Sequence, residues 1–168
     1  LNPRKMHELQ DIGDDARRQY IDARTSFEAL EVAQAQAATV RGGMYWKTVN
    51  GSDYLVRTSV GNAQKSLGPR TAETEAIQAS LAARKAQAEA RLKDLKATVQ
   101  RQQRMNRALY VGRVPAMVVD ILNMLHTQGV AEHFTVVGTH AVYAYEAAAG
   151  VRVESAAVAT RDVDLLWD

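Results

Sequence analysis

Cysteine is absent from the 168 residues, which removes disulfides and thiolate zinc sites together. No run of 18 apolar residues occurs, and the N-terminus lacks the basic, apolar and small-residue succession of a signal peptide. Nothing in the pattern therefore points to a membrane or to export, and a cytoplasmic setting fits. The net charge of +2 is too small an excess to imply nucleic-acid binding without a clustered basic face. Aromatic residues make up only 6% of a chain that is 46% hydrophobic, so alanine carries much of the apolar content. Alanine with scattered Arg, Gln, Glu and Leu is the composition of long packed helices. The chain opens on Leu1 and stops at Asp168, directly after an apolar strand-like run, and so reads as a fragment.

From Pro3 to Val40 apolar or small residues recur as Leu9, Ile12, Ala16, Tyr20, Ala23, Phe27, Leu30 and Ala37, in steps of three and four that make one helical face. Gly13 is the weak point of this helix, and Gly42-Gly43 is its natural stop. Residues 44–49 and 53–58 are rich in aromatic and β-branched side chains and flank Asn50-Gly51, the strongest short signal for a β-hairpin. Gly61-Asn62 turns the chain into a short third strand over 63–67, which Gly68-Pro69 ends. A second long helix is expected from Thr71 to Tyr110, with Ile77, Leu81, Ala88, Leu92, Leu95, Val99 and Leu109 near heptad spacing. The two long helices suggest an antiparallel helical hairpin capped by the small β-hairpin sheet, with an intermolecular coiled coil, and hence a homo-oligomer, as the competing arrangement.

Pro115 suits the first turn of a third helix over 116–128. After it come a strand at Phe134–Val137, a helix from Thr139 to Ala149, and a strand from Val163 to Trp167. Strand alternation puts Asp162 and Asp164 on one side and turns Val163 and Leu165 into the core. Two carboxylates facing one point repel unless a cation neutralises them, and hard oxygen ligands of this kind suit Mg²⁺ shared with phosphate oxygens. Upstream, Gly138 lets a triphosphate approach the main chain, the amides of the following helix N-terminus can hold a phosphate, and Thr139 can donate its hydroxyl. Either half alone has a duller meaning: a solvated strand edge, or a turn glycine followed by an N-cap. Together they carry weight.

This succession of strand, glycine, hydroxyl residue, helix and Asp-x-Asp resembles the nucleotidyltransferase fold of the DNA polymerase β-like superfamily. The likeness runs through Gly138-Thr139 and Asp162-Val163-Asp164, with Tyr143, Tyr145 and Thr160-Arg161 similar to a largely uncharacterised bacterial branch, over residues 114–168. The resemblance implies that Asp162 and Asp164 are catalytic and bind Mg²⁺, in a two-metal site in the complete protein, and that Gly138 and Thr139 contact a nucleoside triphosphate. Arg161, beside the carboxylates, is a further nucleotide-binding candidate. The implied reaction moves a nucleoside monophosphate to an acceptor hydroxyl, the acceptor being RNA, protein or a small molecule, with pyrophosphate leaving. Thr139 stands where Ser or Gly is usual, and a third carboxylate is expected on a later strand beyond Asp168, so the fragment alone is expected to be inactive.

The expected architecture is therefore α+β: residues 1–112 form the helical hairpin with its β-hairpin, and residues 113–168 the first α/β elements of a nucleotidyltransferase domain. A non-catalytic interaction module with a degenerate nucleotidyltransferase fold is the alternative. Of the remaining candidates, His140 reads as a partly buried or capping residue, and His126 and His133 as surface residues. Trp46, Tyr45 and Tyr54 form either a small core or a stacking surface for bases. Arg101, Arg104, Arg107 and Arg113 form a basic stretch with no acid between Asp94 and Asp120, which is either a solvated helix surface or a phosphate contact.

Overall fold

The computed structural model describes residues 9–153 and 162–167. Among these, the chain is α+β, with small antiparallel sheets and four α-helices. By internal contacts it forms two compact units, Thr25–Gln100, and Leu1–Arg24 with Arg101–Asp168. No helix among the described residues is long and apolar enough to cross a membrane.

The first helix does not run back toward Pro3 as its periodicity suggested. A two-residue strand β1 (Gln10–Asp11) comes first, and helix α1 spans Asp14–Thr39. Gly13 separates them at φ +83°, left-handed backbone that a helix cannot include, and its amide donates to Asp11 Oδ1 at 2.6 Å. Asp14 and Asp15 then sit in the first turn, where negative charge complements the exposed amides.

In the unit Thr25–Gln100, strands β2 (Gly43–Val49), β3 (Ser52–Thr58) and β4 (Gln64–Pro69) form an antiparallel sheet in that order. Asn50 and Gly51 both take positive φ, 50° and 77°, which is the type I′ turn that the hairpin register of Val49 opposite Ser52 requires. Helix α2 (Ala72–Ala108) begins with reciprocal bonds between Thr71 and Thr74, amide to hydroxyl in each direction at 3.2 and 2.9 Å. The core is apolar: Leu30 and Ala33 of α1, Leu55 and Val56 of β3, and Leu81 of α2 are buried. Trp46 belongs to this packing, since its indole N–H donates to Gln78 Oε1 at 2.8 Å and the Arg70 guanidinium lies 5.0 Å over its ring. Phe27 and Ile77 are exposed; the sheltered positions beside them are Ser26 and Gln78.

The other unit holds β1, the start of α1, the end of α2, helix α3 (Ala116–Thr127), strand β5 (Phe134–Val137), helix α4 (Gly138–Ala149), strand β6 (Val151–Arg152) and strand β7 (Asp164–Trp167). β5 pairs antiparallel with β7, and β1 with β6. Val118 of α3 is fully buried, and Gly129 at φ +72° ends that helix with its amide bonded to His126 O at 3.0 Å. The Gln19 side-chain amide of α1 donates to Gln102 Oε1 and Asn106 Oδ1 of α2, each at 2.8 Å.

Candidate functional site

The site is built on one helix and the strands at its N-terminus. β5 passes directly into α4 with no intervening loop, and the residue in the N-cap position is Val137, which has no side-chain oxygen to offer the first amides. In the β5–β7 ladder Val137 lies opposite Asp164. Residues distant in sequence thus meet at the point where the helix begins.

Gly138 shows why glycine is needed there. Its φ is +66°, and a Cβ added to it would overlap Oδ2 of Asp164 and stand 3.2 Å from that carboxylate's Cγ. The carboxylate therefore occupies the space that any other residue's side chain would fill. The glycine and the aspartate, read separately from the sequence, are one physical arrangement: an acidic group lies against the N-terminal turn of α4, where the helix dipole favours negative charge. Thr139 follows in the first turn, half-buried. Asp162 lies just before β7 rather than in it, but the alternation holds, with Asp162 and Asp164 exposed and Val163 and Leu165 half-buried. Arg161 and Asp168 lie outside the described residues. Among the described residues no group of three metal-capable side chains converges, so the described carboxylates supply at most a pair.

The far end of α4 carries residues that sequence reasoning missed. Glu146, 5% exposed, accepts from Arg113 Nε at 3.2 Å, from Arg113 Nη2, and from the Val153 amide at 2.7 Å. Arg113 Nη2 also donates to Val153 O at 3.0 Å, and its guanidinium lies 5.5 Å from the Tyr143 ring centroid. Arg113 is thus a half-buried, ion-paired cation rather than part of a solvated basic stretch. Val153 is held at one end of α4, by Glu146, and Asp164 lies at the other, against Gly138. A lone Glu near the end of an alanine-rich helix gave no sign of this, because its partner lies 33 positions away.

Of the histidines, one is more deeply buried than expected and one is an exposed residue with a defined contact. His140 is 4% exposed, and neither ring nitrogen has a hydrogen-bond partner among the described residues. It is therefore not a capping residue. His133 is exposed, as expected, and its ring stacks on Trp167 at 5.5 Å while Phe134 meets the same indole edge-on at 4.9 Å. That cluster fixes the β5–β7 register at the end away from Asp164.

Residues 116–168 match a family model described as Nucleotidyltransferase. The match spans α3, β5, α4 and β7, and so takes in Gly138, Thr139, Asp162 and Asp164 as one block. At the level of the family it points to nucleotidyl transfer with a nucleoside triphosphate as substrate. No curated protein and no solved structure matches the chain.

Proposed function

We propose that the protein is a nucleotidyltransferase that moves a nucleoside monophosphate from a triphosphate to an acceptor hydroxyl, with residues 113–168 as the N-terminal part of its catalytic domain. The observation that carries the reading is the Asp164 carboxylate seated in the side-chain space of Gly138 at the start of α4. It joins a carboxylate to a helix N-terminus in the stretch where the family resemblance lies. An exposed carboxylate pair with hard oxygen donors fits Mg²⁺. In this reading Asp162 and Asp164 hold Mg²⁺, which when bound lowers the repulsion between them and stabilises charge on the phosphoryl oxygens. The first amides of α4, free of an N-cap side chain, bind triphosphate oxygens, Thr139 adds a hydroxyl donor, and Arg161 binds the nucleotide. As the acceptor oxygen bonds to the α-phosphorus, the bond to the pyrophosphate oxygen breaks. A third carboxylate comes from outside the described residues.

The test is transfer of α-³²P-labelled nucleotide to acceptor by the full-length protein. Asp164→Asn and Asp162→Asn are each expected to lower transfer by about 100-fold or more, the scale on which removing a preorganised charge-stabilising group acts. Unchanged transfer in both variants would overturn the proposal. The long helices α1 and α2, which lie outside the stretch that matches the family model, favour a second reading, a non-catalytic interaction module with a degenerate nucleotidyltransferase fold. That reading requires triphosphate affinity to be indifferent to Mg²⁺ in titration calorimetry.

A further inference from the structure

Three arginines near the end of α2 stand without partners among the described residues. Arg101, Arg104 and Arg107 are exposed, and among the described residues none of them has an ion pair or a side-chain hydrogen bond. At about 100° per residue they span an arc of about 120° and about 9 Å of helix length. Gln102 and Asn106, which bond Gln19 of α1, lie on the opposite side of α2, so the arginine row is turned away from that packing. No acidic residue lies between Asp94 and Asp120, and the remaining arginine of this stretch, Arg113, is consumed by Glu146.

The row ends at an aromatic residue whose ring is largely open to solvent. Tyr110 is 72% exposed and adopts φ +55°, left-handed backbone usually left to glycine after a helix. An aromatic residue in that conformation costs about 1 kcal/mol or more relative to glycine, and its exposed ring recovers none of this by burial. The ring is nevertheless held in place. Arg152 donates to the Tyr110 carbonyl at 2.7 Å and its guanidinium stands 5.7 Å from the ring centroid. A fourth cation thus joins the row at an aromatic face open to solvent.

We propose that this surface binds single-stranded nucleic acid, with Arg101, Arg104 and Arg107 contacting backbone phosphates and Tyr110 stacking an unpaired base. Uncompensated arginines favour a polyanion, and a fixed, exposed ring beside them favours one that carries flat bases. A duplex hides those faces, and an acidic peptide has none. The surface belongs to the same compact unit as Gly138 and Asp164. Its meaning as the binding surface for a polynucleotide acceptor rests on the nucleotidyl-transfer reading, whereas the binding itself does not.

The experiment is fluorescence anisotropy of a labelled 12-nucleotide RNA of mixed sequence, and of the same DNA, titrated with the full chain between 50 and 200 mM KCl. A log–log salt slope near −2, about 0.7 per phosphate for three contacts, is expected for the unaltered protein. Combined Arg101→Gln, Arg104→Gln and Arg107→Gln, with helix content checked by circular dichroism, should weaken binding at least about tenfold and flatten the slope. Tyr110→Asn, which tolerates the backbone angle, should weaken binding about tenfold with the slope unchanged. Equal affinity for duplex or for polyglutamate, or a triple variant that binds like the unaltered protein, overturns the proposal. Asp164→Asn separates the two ideas: it should abolish transfer and leave RNA binding intact. Binding without any transfer would sink the catalytic reading alone, and transfer without an effect of the triple variant on binding would sink this one alone.

Discussion

The unit Thr25–Gln100 and the unit that carries Gly138 and Asp164 are stabilised by different chemistry. The first buries Leu30, Ala33, Leu55, Val56 and Leu81, with Thr74 as its one buried polar residue among those described. The second buries Ala16, Val111 and Val118, and with them Gln19, His140 and Glu146. Small apolar residues cannot supply much transfer free energy, so the second unit leans on hydrogen-bonded polar pairs whose value depends on every partner being present. An apolar core loses stability in proportion to the atoms removed. A polar one fails abruptly when one member of a pair is deleted.

That difference is open to direct attack. Glu146→Ala removes the carboxylate that Arg113 and the Val153 amide share, and breaking a largely buried ion pair costs about 3–5 kcal/mol. Urea unfolding should register the loss, and hydrogen exchange should place it in residues 101–153 while amides of 25–100 keep their protection. Loss of protection in both units would mean that they do not differ as described. Leu55→Ala, at a side chain with no exposed surface, should cost about 3 kcal/mol by cavity formation and show the reverse pattern of exchange. Gly138→Ala should follow at about 2 kcal/mol, because it combines a left-handed backbone with displacement of the Asp164 carboxylate. Crystallography or NMR of that variant would find Asp164 moved, and an unmoved carboxylate would remove the stated reason for the glycine. The smallest effect belongs to His140→Phe. With both ring nitrogens unpartnered and buried, an apolar ring of similar size should change stability by less than about 1 kcal/mol, or raise it. A large drop in melting temperature would reveal a partner for the imidazole.

The same contrast explains what sequence alone could deliver. The hairpin at Asn50-Gly51 was readable because its cause is local: two adjacent residues that tolerate positive φ, flanked by β-formers. Helices α2, α3 and α4 were readable to within a few residues, since their periodicity and their glycine and proline stops are local as well. The start of α1 was misplaced because its apolar spacing continues through Gly13, whereas the backbone does not. At the candidate site, the glycine and the two aspartates were recognisable as a pattern. Their relation was not, because the seating of Asp164 in the vacant space of Gly138 depends on how β5 and β7 register. Arg113 was read as surface charge and Glu146 was not noticed, since an ion pair between distant positions leaves no periodic trace in either segment.

The two-residue pairing of β1 with β6 carries a further meaning for the order of events during synthesis. Gln10 and Asp11 find their partners only at Arg152 and Val151, the Ile12 amide bonds Gly150 O at 3.2 Å, and a side chain on Gly150 would come within 2.5 Å of Arg17 Nε. Strand β1 is therefore made long before its partner and is placed late, while the sheet and helices of 25–100, whose partners lie closer in sequence, can assemble in the interval. Slowing translation between residues 100 and 150 should lengthen the time for which the N-terminal strand stays open to proteolysis. The nascent chain closes only once the end of α4 has emerged.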